Sequence, residues 1–465
     1  MTVIVNDIHS ELNASEAIDV ISVNSLETIR AGIARASKLG IPISVAGGRY
    51  AMGGQQFCDG GIVLDTRNLN RVIDFDVERG LIEVEAGMQW PELIEYLESV
   101  QLGNSRPWAI AQKQTGADRI SIGGTISANA HGRGLKMKPF VSNVESLVLV
   151  NADGELLKCN RDTNYELFCL VAGGYGLFGC IYSVTLRLVP RQTLERVVVL
   201  GNIDDLAECF DERIRSGFLY GDFQFAIDNT SEEFLHAGVF SCYRPVEPVK
   251  QIPSDQQKLS QNDWMRIITL AHTDKNLAFK LYSEHYLATS GQIYYSDSHQ
   301  LADYEDGYHH KLDKATGSEH RASEMITELY VPRNKLTDFM TAAREDFRKH
   351  HVNLIYGTIR LIERDDVSFL RWASKPWACI IFNLHTVHTA DGIEHSTNAF
   401  RRLINYAIEC GGKYYLTYHR WATRAQVERC YPQIQQFLKL KREYDPEERF
   451  QSDWYRHYRE MFVSV

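Results

Sequence analysis

The sequence predicts a mixed helix-and-strand globular protein of two or three domains, and three observations lead there. The chain has 465 residues, 44% hydrophobic and 24% charged, which is enough for a large core shared among domains of ordinary size. Residues 19–100 alternate short apolar strands with amphipathic helices. After Pro190 the strands and helices become longer, and the pattern changes again near 411. The blocks are therefore 1–190, 191–410 and 411–465.

In the first block, Asn24 or Ser25 caps a helix whose apolar stripe is Leu26, Ile29 and Ile33 and whose stop is Gly40. A buried strand over 41–46 follows, then another over 61–65. Val72–Asp76 and Leu81–Glu85 flank Glu78-Arg79-Gly80 as a hairpin. Pro91 opens a helix carrying Leu93, Ile94 and Leu97 on one face. Val144–Val150 reads as a strand, Tyr165–Val171 as a helix and 180–189 as a β-branched strand. The second block offers strands at 223–227, 328–331, 355–361 and 379–388 and a helix at 336–349, with a polar, aperiodic stretch from Ser296 to Ala322 read as a lid or a disordered loop. In the last block, 414–421 is strand-like, and Ile434, Phe437 and Leu438 mark a helix.

Composition excludes several classes of function. A net charge of −10 favours neither nucleic acid nor an anionic membrane surface. The N-terminus lacks the basic and apolar regions of a signal peptide, and no apolar run reaches membrane-spanning length. Nine scattered cysteines without a CxxC pair fit neither a disulfide framework nor a zinc site, so a reducing, cytoplasmic location is expected. No metal is expected either. His309-His310 lies in the polar stretch and reads as solvated loop, and His385 and His388, three apart on a strand, face opposite sides.

Two glycine-rich regions carry the chemistry. Ser44-Val-Ala-Gly-Gly-Arg-Tyr-Ala-Met-Gly-Gly-Gln-Gln-Phe57 follows directly on a strand. Glycines there let successive backbone N–H groups converge on an anion, for which a diphosphate is the usual size. Residues 114–134 form a second region, dominated by small side chains that allow backbone to lie flat against a ligand. Gly174-Tyr-Gly-Leu-Phe-Gly179 satisfies GxGxxG but has a helix before it and a strand after it. A dinucleotide fingerprint of the Rossmann kind needs the reverse order, so that reading is rejected.

The first loop, the stretch 115–134 and Gly176-Leu-Phe-Gly-Cys-Ile181, in that order, resemble the vanillyl-alcohol oxidase/p-cresol methylhydroxylase superfamily of FAD flavoproteins. The ending Tyr431-Pro … Asp445-Pro … Phe450-Gln-Ser-Asp453 looks like that of its decaprenylphosphoryl-ribose oxidase and sugar-lactone/alditol oxidase branches. The resemblance implies an α+β fold. A two-subdomain FAD-binding domain would occupy 1–190, a substrate domain over the flavin 191–410, and a C-terminal segment closing the site 411–465. It assigns the pyrophosphate to the loop of Gly47, Gly48, Arg49, Tyr50, Ala51, Met52, Gly53 and Gln56. It places Gly116, Ser121, Ile122, Gly123, Gly124, Ala128, Asn129, Ala130 and His131 along the flavin, with Ile181 and Tyr415 also reaching the cofactor.

The implied reaction is hydride transfer from a CH–OH group of a sugar-like or polyhydroxy alcohol to flavin N5, with oxygen or another carrier as electron acceptor. An FAD-linked 2-hydroxy-acid dehydrogenase is the alternative enzyme, and a non-catalytic FAD scaffold the alternative outside enzymes. By the resemblance, Arg360 is a basic residue for developing flavin charge or for substrate, and Glu328 a substrate contact. His131 is the histidine nearest the reacting carbon, a suitable proton acceptor. Two departures stand out. Relatives with a lysine over the flavin correspond to Tyr418 here, beside His419, and only one of these two can face the ring. Relatives with Gly-His-Ser in the first loop bond that histidine covalently to the flavin, whereas this chain has Arg49-Tyr50-Ala51. FAD is therefore expected to be non-covalent: acid precipitation should leave a white pellet and a yellow supernatant, and a yellow pellet would show a covalent link.

Overall fold

The computed structural model describes residues 2–249, 251–302 and 307–463. Strands Asp19–Ser22 and Ile43–Ala46 flank Ile62–Asp65 in a three-stranded parallel sheet. Helix Leu26–Leu39 covers it. Ser25 caps that helix and Gly40 ends it in the left-handed conformation, while Ile29, Ile33 and Ala36 are buried. Their core also takes in Val150, Cys180 and, from the far end of the chain, Phe450. A five-stranded antiparallel sheet follows in the order Leu156–Asn160, Val144–Val150, Cys180–Arg187, Leu81–Glu85, Val72–Asp76. Helix Trp90–Val100, with Pro91 in its first turn, and helix Ile122–Ala128 accompany it.

The third sheet has eight antiparallel strands. From one edge they are Ile293–Tyr295, Thr193–Asn202, Ala237–Val246, Tyr220–Phe225, Leu354–Ile362, Trp377–Val387, Ala322–Val331 and Lys413–Tyr414. Side chains alternate between its two faces. Ser323, Thr327 and Thr386 point to one side, where Thr386 meets Ser396 of helix Ala390–Glu409 and Thr327 meets His419. Glu324, Glu328 and His385 point to the other, toward helix Gln261–Thr273 and the first domain. Helix Leu336–Lys349 packs Phe339 and Phe347 on Phe382, on the same side as Ala390–Glu409.

The structure corrects three expectations. The stretch 296–322 is neither a bare lid nor disordered where it is described: it contains helix Tyr308–Thr316, and His309 is buried, not solvated. Residues 303–306 lie outside the described residues. Only Lys413–Tyr414 of the strand-like run 414–421 is a strand, because the chain turns away once it has paired with Leu329–Tyr330 at the sheet edge. The turn leads through helices Arg424–Cys430 and Ile434–Tyr444 to Phe450, which bridges to Ile43 of the parallel sheet. No helix among the described residues is long and apolar enough to cross a membrane.

His419 belongs to this framework. It is 1% exposed and stacked between Tyr414 and Trp421. The Trp421 N–H faces its Nδ1 at 3.3 Å and Thr327 Oγ1 lies 3.2 Å from its Nε2. Nδ1 is thus an acceptor and the ring neutral, and burial pushes its pKa down to about 3. Because the unfolded chain takes up this proton near pH 6.5 and the folded chain does not, the contribution of His419 to stability is lost as pH falls from 6.5 toward 3. The slope is at most about 1.4 kcal/mol per pH unit. Melting temperatures of wild type and His419→Gln should therefore converge as the pH falls through this range, and parallel curves would refute the assignment.

Candidate active site

A cavity of about 1140 Å³ lies between the first domain and the inward face of the eight-stranded sheet. Ordinary small-molecule pockets measure roughly 300–1,000 Å³, so this one has room for a dinucleotide together with a substrate.

One end is built by the two glycine regions packed against each other. A Cβ on Gly47 would stand 2.1 Å from Ser121 Oγ, and one on Gly48 2.3 Å from the Arg119 carbonyl, so only glycine permits this approach. Arg49 holds a left-handed φ of 64°, which turns adjacent amides toward a common centre. Its guanidinium points away, to Asp65 at 2.9 Å. Among the described residues, no acceptor pairs with the backbone N–H of Gly48, Arg49, Ala51 or Met52. Thr115 Oγ1 is likewise buried without a partner on the cavity wall. Unpaired donors in a concave glycine loop fit the pyrophosphate of a dinucleotide.

Of the residues expected at the cofactor, Gly47 to Met52, Gln56, Gly116, Ser121, Gly123, Gly124, Ala128, Ala130, His131, Ile181 and Tyr415 line the cavity. Gly53, Ile122 and Asn129 do not. The Gly53 amide is spent on Gln55, and Ile122 is fully buried in the core behind the wall. Asn129, at a φ of 47°, gives its side-chain amide to Asp365 and Ser368 at 2.9 and 3.2 Å, and its carbonyl accepts from Trp372. Gln55, Thr115 and Gly176, inside the segments singled out in the sequence, also stand on this wall, and sequence reasoning missed Tyr175 and Thr417 there. Tyr175 and Gly176 sit inside the rejected GxGxxG, of which Gly176 and Gly179 line the cavity from a helix-to-strand turn and Gly174 does not. The wall is closed by the C-terminal segment: Gln55 Nε2 donates to the Thr417 carbonyl at 2.7 Å and the Tyr415 hydroxyl to the Ala128 carbonyl at 2.5 Å.

The polar centre lies deeper, on the sheet. His131 Nε2 is 2.5 Å from Glu328 Oε1, and its Nδ1 is 2.9 Å from the Gly132 carbonyl. Both ring nitrogens face acceptors, so the His131–Glu328 pair holds a proton between two buried groups. Tyr330 and Cys379 also donate to Oε1, Cys379 at 3.2 Å, and the Tyr418 hydroxyl donates to Oε2 at 3.3 Å. Burial by itself raises the Glu328 pKa, but His131 and these donors outweigh it and hold the carboxyl below the usual glutamate value. Burial pushes the Tyr418 phenol well above the ordinary tyrosine range, so it stays protonated. Tyr418 lines the cavity; His419 does not, and it is corrected here from candidate catalyst to core residue. Arg360, 7% exposed, also lines the cavity, and among the described residues its guanidinium has no ion pair.

Beyond this centre the wall is aromatic and cationic, with Arg133, Arg196, Tyr282, Tyr286, Tyr294 and Tyr356. None of these carries a local sequence signal, because strands and helices far apart in the chain bring them together. The exposed Gln257, Lys258 and Gln261 mark the cavity mouth.

Comparison with known proteins agrees with this geometry. Residues 19–160 match the FAD binding domain family. The chain is 23% identical to decaprenylphosphoryl-beta-D-ribose oxidase of Mycolicibacterium smegmatis over 95% of its own length and 94% of that protein's. It is 25% identical to L-gulono-1,4-lactone dehydrogenase of Mycobacterium tuberculosis over 91% and 92%. With L-gulonolactone oxidase of Bos taurus it shares 26% identity over 41% of this chain, spanning only 42% of that enzyme. The dinucleotide that the unpaired amides of the first loop fit is therefore FAD, and the chain is an FAD-linked oxidoreductase similar to these enzymes.

Proposed function

We propose that the protein oxidises a CH–OH group of a sugar-like or polyhydroxy alcohol, with non-covalent FAD as hydride acceptor and oxygen or another carrier as the final electron acceptor. The observation that carries this reading is the Glu328 carboxylate, buried yet kept charged, within reach of a cavity-facing hydroxyl. Bound FAD supplies the acceptor for hydride from the carbinol carbon. The chain's own task is to take the hydroxyl proton. Tyr418 accepts it at its phenolic oxygen while passing its own to Glu328 Oε2, and His131 stabilises the pair through Oε1. The relatives named for ribose and lactone substrates support a polyhydroxylated substrate, as do the tyrosines and arginines of the outer cavity, which offer donors to hydroxyl groups.

A second reading rests on Arg360. A buried guanidinium without a carboxylate partner is costly unless an anion meets it, and a 2-hydroxy acid would supply one.

Anaerobic bleaching of the bound flavin by alditols, sugars and 2-hydroxy acids separates the two. Alditols or sugars should bleach it. Glu328→Gln should lower kcat by about 10²–10³ with the flavin still bound, in the range of a lost general base. Bleaching only by hydroxy acids, weakened in Arg360→Ala, would replace the first reading with the second.

A further inference from the structure

A second polar cluster lies on the same sheet face, apart from the His131–Glu328 centre. Glu324 and Glu328 are four residues apart on strand Ala322–Val331 and point the same way, about 13 Å from each other at strand spacing. Glu324 is directly opposite His385 in the strand pairing, and helix Gln261–Thr273 brings His272 over both. Glu324, together with Ala271 beside His272, lines the cavity wall.

The distances in the two clusters differ in kind. His131 and Glu328 are 2.5 Å apart, a hydrogen bond with a proton between them. His385 Nδ1 and His272 Nε2 stand 3.3 and 3.4 Å from the same oxygen, Glu324 Oε1. The first is a long hydrogen bond, and the second lies beyond the roughly 2.7–3.2 Å of an ordinary N–H···O bond. Both match the edge of a tetrahedron with metal–ligand bonds of about 2.0–2.1 Å, which is about 3.3–3.4 Å. All three ligand atoms lie within 4.8 Å of one another. The His272 side chain is 7% exposed, and its Nε2, aimed at this point, has no hydrogen-bond partner among the described residues. The two imidazoles meet edge to face at 82°, with ring centroids 4.9 Å apart.

From this geometry we infer that His272, His385 and Glu324 Oε1 form a binding site for a divalent first-row transition metal, of the two-histidine, one-carboxylate kind. The other carboxylate oxygen is already held in place. The Tyr308 hydroxyl donates to Oε2 at 2.7 Å and His309 Nδ1 lies 2.6 Å from it, an arrangement that fixes a ligating carboxylate.

Zn²⁺ titrated calorimetrically into the chelator-treated, FAD-loaded full chain tests the site without reference to turnover. One equivalent should bind. His272→Ala and His385→Ala should each weaken it at least about 100-fold, and His309→Phe about 10–100-fold, the usual cost of losing a group that orients a ligand. His395→Ala, at an exposed position, should leave binding unchanged. Retained flavin absorbance confirms that each variant is folded. Absence of one-equivalent binding in the wild type, or binding that survives in folded His272→Ala and His385→Ala, overturns the inference.

Discussion

The alternation of side chains along strand Ala322–Val331 constrains everything around the cavity. A strand covered on both faces normally buries apolar side chains on each. Here one face carries Glu324 and Glu328, both about 1% exposed, and the other carries Ser323 and Thr327. Two carboxylates can be buried this way only if each is saturated with donors. The fold meets that demand with His131 and Tyr418 for one and with Tyr308 and His385 for the other, where His309 lies beside Oε2 and His272 Nε2 stands 3.4 Å from Oε1 without a hydrogen bond. A one-residue slip in the pairing with Trp377–Val387 would turn both carboxylates into the apolar layer under helix Ala390–Glu409, so register and chemistry are a single requirement.

What the sequence reveals follows from how local the cause is. The capped helix Leu26–Leu39, the strand at Ile43–Ala46 and the crowded loop after it are legible because caps, periodicity and glycine spacing act within a few residues. The wall of the cavity that holds cofactor was legible for the same reason, aided by the family resemblance. The roof was not. His272, Glu324 and His385 sit on a helix and two strands up to 113 residues apart, as 385 − 272 shows, and spacing rules for metal ligands look for them within a few tens of residues. The pair Tyr418–His419 was resolved only by the turn after Tyr414, which sends one side chain into the cavity and the other into the core.

The two departures from the superfamily pattern have physical meaning together. With Tyr50 in the first loop, the chain has no imidazole there, and among the described residues the loop offers the unpaired amides of Gly48, Arg49, Ala51 and Met52 instead. With Tyr418 at the polar centre, a neutral hydroxyl replaces a permanent cation. Arg360 lines the same cavity as a cation, while the His131–Glu328 pair, an imidazole against a carboxylate, adds no net positive charge.

Asn129 carries a mechanical consequence. It stands at the end of the helix that backs the flavin wall, yet its side chain is bound to Asp365 and Ser368 of the second block, while Trp372 grips its carbonyl. The wall and the second block are thereby tied together behind the cavity. Separating the two layers here would strip the buried Asn129 and Asp365 side chains of their hydrogen bonds. Traffic of small molecules is left to the opposite end, where Gln257, Lys258 and Gln261 rim the mouth beside Trp264. The architecture is that of a bottle with a fixed base and a working neck, not of a hinge.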